Sequence, residues 1–285
     1  MIAVADVAAT PVTVTASAGP RVGRLGLRLV AVGYVGLLVV VPVALVVWRT
    51  FKPGLHEFTS ALTDPLTVHA FKLTFIIAIC AVVLNTVFGI GAGLLLARFT
   101  FPGRRLLSTL IDLPVSISPI VVGLALVLVY GSSGWFGSAL GNAGFQVIGA
   151  LPGMIIATVF VSFPLVLRAI VPVLEEAGTD QEQAARCLGA GPLATFRRIT
   201  LPTIRWALAY GVVLSLARCL GEYGAVLIVS GNIEGTTETA TLRIDNLYEQ
   251  AQQPDAAYAI TFVLVAVAVL AIVVITVIRP KENPA

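Results

Sequence analysis

The sequence predicts an all-α, polytopic membrane protein with about six transmembrane helices. Hydrophobic residues make up 58% of the 285 residues and charged residues only 12%, whereas soluble domains carry about 25% charged residues. The apolar residues come in runs of roughly 20, the length that a helix needs to cross about 30 Å of hydrocarbon. These two observations make lipid the solvent for most of the chain.

Six apolar runs are long enough to span a membrane. The expected spans are Leu29 to Trp48, Phe71 to Ala97, Leu110 to Tyr130, Gly149 to Leu167, Ala207 to Val229 and Tyr258 to Ile278. The first run is too long for the apolar core of a signal peptide and lacks a cleavage site, so an uncleaved span is expected. We expect residues 1–28 to form a disordered cytoplasmic N-terminus, residues 29–278 a transmembrane domain and residues 279–285 a cytoplasmic tail.

The distribution of Lys and Arg predicts the orientation, because cytoplasmic flanks carry the excess of basic residues. With both termini inside, thirteen basic residues lie in cytoplasmic segments and four lie outside, while Arg218 falls within a span. Both termini are therefore expected in the cytoplasm. The outer segment from Ser230 to Ala257 is acidic, so it is either a docking surface for a soluble partner or simply a solvated face.

The sequence offers little for chemistry or for nucleic acid. A net charge of +3 is too small to indicate a nucleic-acid-binding protein, and the three cysteines have no metal-site spacing. There is no P-loop and no HExxH motif. We expect no catalytic residue, no metal and no cofactor bound by this chain, which argues against a membrane enzyme and favours a transport protein.

Two features within the spans indicate close packing and a bend. Gly89 and Gly93 have the GxxxG spacing that lets a neighbouring helix approach. Pro114 and Pro119, with the serines Ser116 and Ser118, predict a bend in the third span. The backbone groups freed by that bend need protein or water as partners, because lipid offers none.

Arg218 lies within the fifth span, with Glu222 expected one turn later on the same face. Ionisable residues at such depth are functional candidates by default. Three hypotheses stay open: the two form a structural pair, or Arg218, with Ser116 and Ser118, faces a passing anion, or the pair holds a gate shut.

The segment of residues 168–206 is the only large cytoplasmic segment expected, and its capping, glycine and proline residues predict two short helices. Thr179 and Glu182 fit a capping box, and Gly189 can end the first helix in a left-handed turn. Pro192 suits the first turn of the second helix, which Pro202 would stop. Leu193, Phe196 and Ile199 give that helix an apolar stripe, which meets either a partner or the chain's own helix ends.

This segment resembles the EAA signature of bacterial ABC importer permeases, which reads Glu-Ala-Ala, three residues, Gly, nine residues, Ile, any residue, Leu-Pro. Every position after the first matches in type and spacing, and Gln183 stands where Glu is usual. The matching residues are Gln183, Ala184, Ala185, Gly189, Ile199, Leu201 and Pro202. The resemblance implies the type I importer fold and a coupling helix, with Glu182, Leu193 and Phe196 also at the contact to an ATPase subunit.

Other stretches resemble the sulfate/molybdate branch, and residues 197–206 are most similar to its W-type permeases for sulfate and thiosulfate. The resemblance implies an importer of sulfate or thiosulfate in the bacterial inner membrane. Its expected partners are a T-type permease or a second copy, an ABC ATPase dimer that carries ATP and Mg, and an extracytoplasmic anion-binding protein. A permease for molybdate or tungstate and a secondary anion transporter are the alternatives.

Overall fold

The computed structural model describes residues 21–278, which are helical over most of their length and contain no β-strand. The predicted all-α class is confirmed. In chain order, the helices are α1 (Arg21–Phe51), α2 (Leu55–Thr63), α3 (Pro65–Arg98), α4 (Arg104–Ser116), α5 (Pro119–Tyr130), α6 (Gly137–Asn142), α7 (Leu151–Ala177), α8 (Asp180–Cys187), α9 (Pro192–Thr195), α10 (Leu201–Leu220), α11 (Gly224–Ser230), α12 (Ala240–Asp245) and α13 (Pro254–Ile278).

The chain divides into two units, Met1–Val46 and Val47–Ala285. The described part of the first unit is helical, and the segment Arg28–Phe51 has a mean hydropathy of 2.7. Helix α1 begins at Arg21, so the helix extends eight residues further toward the N-terminus than the predicted start at Leu29. The expectations for residues 1–20 and 279–285 lie outside the described residues.

Helix α3 starts at a capping residue followed by proline, and it packs along α7 in the second unit. The Asp64 side chain accepts a hydrogen bond of 3.0 Å from the backbone N–H of Thr67, and Pro65 occupies the first turn. A Cβ added to Gly89 would lie 3.2 Å from Val166 Cβ, and one on Gly93 would lie 2.8 Å from Ile170 Cδ1. The close helix approach predicted from the GxxxG spacing is confirmed.

Helix α10 completes a central group of three helices with α3 and α7. Among the described residues, 44% of the most apolar window of α3 and 50% of that of α7 are buried inside the protein, against 11% for α13. A buried polar cluster joins the three helices. Asn85 Nδ2 and Cys219 Sγ both donate to Ser162 Oγ, at 2.8 and 3.2 Å.

Two predicted spans are broken in the structure. Helices α4 and α5 meet at an angle of 111°, so the bend predicted in the third span is present and lies at Ile117 and Ser118. The predicted continuous span from Ala207 to Val229 is wrong, because α10 ends at Leu220 and α11 begins at Gly224. Five helices in the described part of the chain can cross a membrane, or six if the bent pair forms one span.

The acidic outer segment is folded, and both its predicted roles, a docking surface and a solvated face, stay open. It contains α12 and a π-helical turn, Asn246–Gln250, and it packs against α13 through the buried side chains of Ala240 and Leu247. The Thr74 hydroxyl accepts a hydrogen bond of 2.8 Å from the Ala240 N–H and thereby ties this segment to α3.

Candidate functional site

The predicted coupling segment is shorter and more helical than expected. Helix α7 continues to Ala177, ten residues beyond the predicted end of the fourth span. Gly189 adopts φ +86°, as its predicted left-handed turn requires, and Pro192 opens α9. Pro202 does not stop this helix. Instead α9 passes through a π-helical turn, Phe196–Thr200, into α10, where Pro202 occupies the first turn.

The predicted capping box of α8 is wrong. Thr179 occupies the N-cap position but its side chain does not cap the helix. Its hydroxyl instead accepts a hydrogen bond of 2.8 Å from Gln183 Nε2. Glu182 does not turn back toward Thr179, because stronger partners surround it on neighbouring elements.

Glu182 is buried at the junction of α8 with the ends of three other elements. Its Oε1 atom lies 3.1 Å from Arg98 Nη2 and accepts a hydrogen bond of 2.9 Å from Thr200 Oγ1. Arg98 also donates from Nη1 to the main-chain carbonyl of Leu174 at 2.7 Å. This carboxylate therefore faces the protein interior, whereas the neighbouring Gln183 and Ala184 are exposed and Ala185 is half-buried.

Two large apolar side chains project where α8 meets α9, one at the end of α8 and one in the first turn of α9. Leu188 is 89% exposed and Leu193 is 75% exposed. Phe196, Ile199 and Leu201 are half-buried against the chain itself. The predicted apolar stripe is therefore split: Leu193 is free to meet a partner, and the others belong largely to the protein's own packing. Sequence reasoning missed Leu188, although an apolar residue directly before a left-handed Gly was a usable signal.

Arg218 and Glu222 form a close ion pair, with Arg218 Nη1 2.6 Å from Glu222 Oε2. Glu222 lies in the break between α10 and α11 and is buried, while the Arg218 side chain is 37% exposed. The second carboxylate oxygen, Oε1, accepts a hydrogen bond of 3.0 Å from the Ala225 N–H, so the same carboxylate caps the start of α11.

Ser116 and Ser118 flank the break between α4 and α5, and both are exposed. Within residues 21–278, no hydrogen bond or ion pair joins either serine to Arg218 or Glu222. The two helix breaks nevertheless adjoin, because a Cβ added to Gly224 would lie 3.2 Å from Pro119 Cβ. The structure thus places the four predicted pathway residues at two neighbouring breaks without a direct bond between the pairs.

A second charged cluster lies at the predicted outer end, around Arg243. This guanidinium contacts Asp64 at 3.4 Å, Glu234 at 3.2 Å and Glu238 at 3.6 Å. Burial raises the pKa of the Glu238 carboxyl, and a hydrogen bond of 2.6 Å from Asn246 opposes that rise. His, Cys, Asp and Glu side chains in residues 21–278 form no group of three or more suited to a metal ion.

Residues 89–281 match the family model described as the binding-protein-dependent transport system inner membrane component. The chain belongs to this family. The matched range includes both helix breaks and the whole coupling segment, so every site residue predicted from the sequence of this permease lies within it. As a family member with several apolar helices, the permease is a multi-pass membrane protein and a transport component.

Relatives of this permease among characterised proteins include permeases of sulfate transport systems. The permease is 49% identical over 219 residues to the sulfate transport system permease protein CysW of Synechococcus elongatus, covering 77% of each chain. It is 43% identical to CysW of a Synechocystis species, covering 93% of this chain and 96% of that one. It is also 37% identical to the permease protein CysT of Salmonella typhimurium, covering 83% and 85%. The predicted resemblance to ABC importer permeases of the sulfate branch is confirmed.

Solved structures confirm the predicted fold. The permease superposes on a chain of a bacterial ABC transporter that imports the acidic polysaccharide alginate, with a TM-score of 0.72 and 19% identity. The alignment covers 92% of this chain and 97% of that chain. A second crystal structure shows the alginate transporter in complex with a periplasmic protein that holds an alginate pentasaccharide, with a TM-score of 0.68.

Proposed function

We propose that this chain is the W-type permease subunit of an ABC importer that carries sulfate or thiosulfate into the cytoplasm. The observation that carries the proposal is the 49% identity to a sulfate permease over 77% of both chains. The coupling segment, which matches the EAA signature at every position after the first, and the paired helix breaks add the parts that an importer permease needs. A separate subunit hydrolyses ATP in this proposal, and this chain holds neither ATP nor Mg.

The proposed complex has three kinds of partner. Likeness to both CysW and CysT supports pairing with a related T-type permease, and a second copy of this chain is the alternative. The name of the matching family supports an extracytoplasmic protein that delivers the anion. An ABC ATPase dimer would bind the coupling segment, whose exposed apolar side chains Leu188 and Leu193 suit a groove on a protein partner.

The pathway in this proposal runs past the two helix breaks. A dianion that leaves water needs positive potential and hydrogen-bond donors, which Arg218 and the hydroxyl groups of Ser116 and Ser118 supply. In this structure Arg218 is paired with Glu222. The pair would therefore keep the guanidinium from the anion until Glu222 moves away, so it acts as a gate.

The orientation of the permease follows from the distribution of basic residues. Arg98, Arg104 and Arg168 gather at the same end of the second unit as the coupling segment, through ion pairs with Glu182, Glu175 and Asp112. We place that end, with both termini, in the cytoplasm. The Arg243 cluster then faces the outside, where the anion-binding protein would dock.

Reconstitution of the whole complex in lipid vesicles tests the proposal. Uptake of labelled sulfate is expected to require ATP, the ATPase and the binding protein together, and unlabelled thiosulfate should compete. Uptake that persists without the ATPase would instead identify a secondary transporter. Competition by molybdate or tungstate alone, with no effect of thiosulfate, would move the chain to the molybdate side of the branch.

A further inference from the structure

Helix α8 has few direct contacts with the membrane helices. Its main packing partners are the adjoining α9 and the π-helical turn Phe196–Thr200. The side chain of Glu182 supplies a longer link, because it reaches Arg98, the last residue of α3. The two side chains are only 10% and 11% exposed, so water screens their attraction weakly.

Arg98 also completes the C-terminal end of α7. The last carbonyls of a helix have no partner within the helix. The Leu174 carbonyl lies in that region of α7, and Arg98 Nη1 donates to it at 2.7 Å. A cation near a helix C-terminus is also favoured by the helix dipole. One guanidinium therefore holds the ends of α3 and α7 together and presents its other nitrogen to α8.

Thr200 brings a fourth element to the same point. Its hydroxyl donates to Glu182 Oε1 at 2.9 Å, the same oxygen that Arg98 Nη2 contacts. Thr200 is the last residue of the π-helical turn that leads into α10, and it is buried. A π-helical turn inside a helix often marks a functional position. Two contacts therefore fix the Glu182 carboxylate: one to Arg98 at the end of α3, and one to Thr200 at the end of the π-helical turn.

We propose that Arg98 is a positioning residue for energy coupling, which fixes α8 to the ends of α3, α7 and α10 through Glu182, Leu174 and Thr200. A displacement of α8 by the ATPase is then passed directly to the membrane helices. The inference rests on the proposed function. The Arg104–Glu175 pair lies at the same end, but it joins α4 to α7, is half-exposed and does not touch α8.

The test measures labelled sulfate carried per ATP hydrolysed by the complete reconstituted complex. Arg98→Gln is expected to lower this ratio by about twofold to thirtyfold, the range for single residues on a coupling route. Arg104→Gln, a matched loss of an arginine at the same end, should leave the ratio unchanged. A purely structural role would reduce the amount of active complex and both activities in proportion, so the ratio would not move.

Two gentler variants keep the test decisive if Arg98→Gln does not assemble. Arg98→Lys retains the charge but cannot reach both Glu182 and Leu174 with a planar pair of nitrogens. Thr200→Val replaces the hydroxyl group with a methyl group of similar size. Both should lower the ratio in assembled complex, and an unchanged ratio in both would overturn the inference.

Hydrogen exchange separates this inference from the proposed substrate. In purified complex without any anion, Arg98→Gln should speed the exchange of the α8 backbone amides, and Arg104→Gln should not. Wild-type complex that fails to carry sulfate would reject the proposed substrate and leave this comparison intact. Exchange in α8 that is the same in Arg98→Gln and wild type would overturn the role of Arg98 whatever the substrate is.

Discussion

The Thr241 hydroxyl donates a hydrogen bond of 2.7 Å to the main-chain carbonyl of Glu222. Thr241 belongs to α12 in the outer segment, and Glu222 lies in the break between α10 and α11. Two residues further along α12, Arg243 contacts Asp64 at the start of α3. A single short helix therefore joins the outer charged cluster to the backbone of Glu222, the acidic member of the Arg218–Glu222 pair.

Glu222→Gln tests whether the ion pair holds a gate. Glutamine keeps an oxygen that can accept from the Ala225 N–H, but it loses the charge that attracts Arg218. We expect the complex with this variant to hydrolyse ATP without its binding protein, at about tenfold the wild-type basal rate. A phosphate-release assay measures this rate, and basal hydrolysis equal to that of wild type would contradict the gate.

Arg218→Gln tests whether the guanidinium serves the anion. Removal of the positive potential from the break should slow sulfate uptake by about tenfold or more. The variant leaves Glu222 unpaired, so the amount of assembled complex is measured alongside uptake in reconstituted vesicles. An unaltered transport rate and an unaltered choice between sulfate and thiosulfate would exclude this role.

Glu182→Ala is expected to weaken coupling more than Gln183→Ala. The first removes a buried carboxylate and leaves Arg98 without its ionic partner, whereas the second removes one exposed hydrogen bond to Thr179. Loss of one partner of a buried pair costs about 3–5 kcal/mol, against about 0.5–1.5 kcal/mol for a typical hydrogen bond. The ratio of uptake to ATP hydrolysis is the measurement, and the reverse order would show that Gln183 carries the role.

Leu193→Ser tests the apolar contact to the ATPase. The side chain is 75% exposed in this chain, so the change should leave the permease folded. If Leu193 is buried on binding, the loss of its apolar area costs about 2 kcal/mol, or about thirtyfold in affinity. A binding titration of the permease pair with purified ATPase checks this, and Leu193→Met, which conserves volume, is the control. Equal affinities for both variants would remove Leu193 from the interface.

Gly123→Ala should disrupt the packing of α5 on α11. The added Cβ would lie 2.8 Å from the Ala225 carbonyl oxygen and 2.9 Å from Ile228 Cβ, and the backbone atom cannot turn aside. We expect a destabilisation of about 1–3 kcal/mol, seen as a lower unfolding temperature in detergent. Gly91→Ala is the matched control, because no atom lies within 4 Å of its added Cβ. A similar unfolding temperature for the two variants would contradict this packing.

The sequence predicted most of the membrane helices, because the length of an apolar run and the residues at a helix start are both set by residues close together in the chain. The glycine pair in α3 and Pro192 in α9 also did what their chemistry requires. The end of α10 was not predictable in this way. Apolar stretches precede Arg218 and follow Glu222, so the sequence predicts one continuous helix, whereas in the structure the Glu222 carboxylate caps the start of α11.

The partner of Glu182 shows the same limit at the other end of the permease. Thr179 and Glu182 have the spacing of a capping box, yet Arg98, 84 residues away in sequence, takes the carboxylate. A full ionic partner in a buried place outweighs a local hydrogen bond at a helix start. The local sequence does not show this alternative partner, because Arg98 comes near Glu182 only when α3 and α8 pack together in the folded chain.

The uninterrupted path from Pro192 through the π-helical turn to Leu220 makes one 29-residue rod of the coupling segment and a transmembrane helix. Its length from Pro192 to Arg218 is about 39 Å at 1.5 Å per residue. A tilt of about 5° at the end that receives the ATPase would displace the Arg218 end by about 3 Å. Glu222 follows the end of this rod by two residues, so the tilt would carry both charges together and would shift the Glu222 carbonyl relative to Thr241 of α12, which donates a hydrogen bond to it.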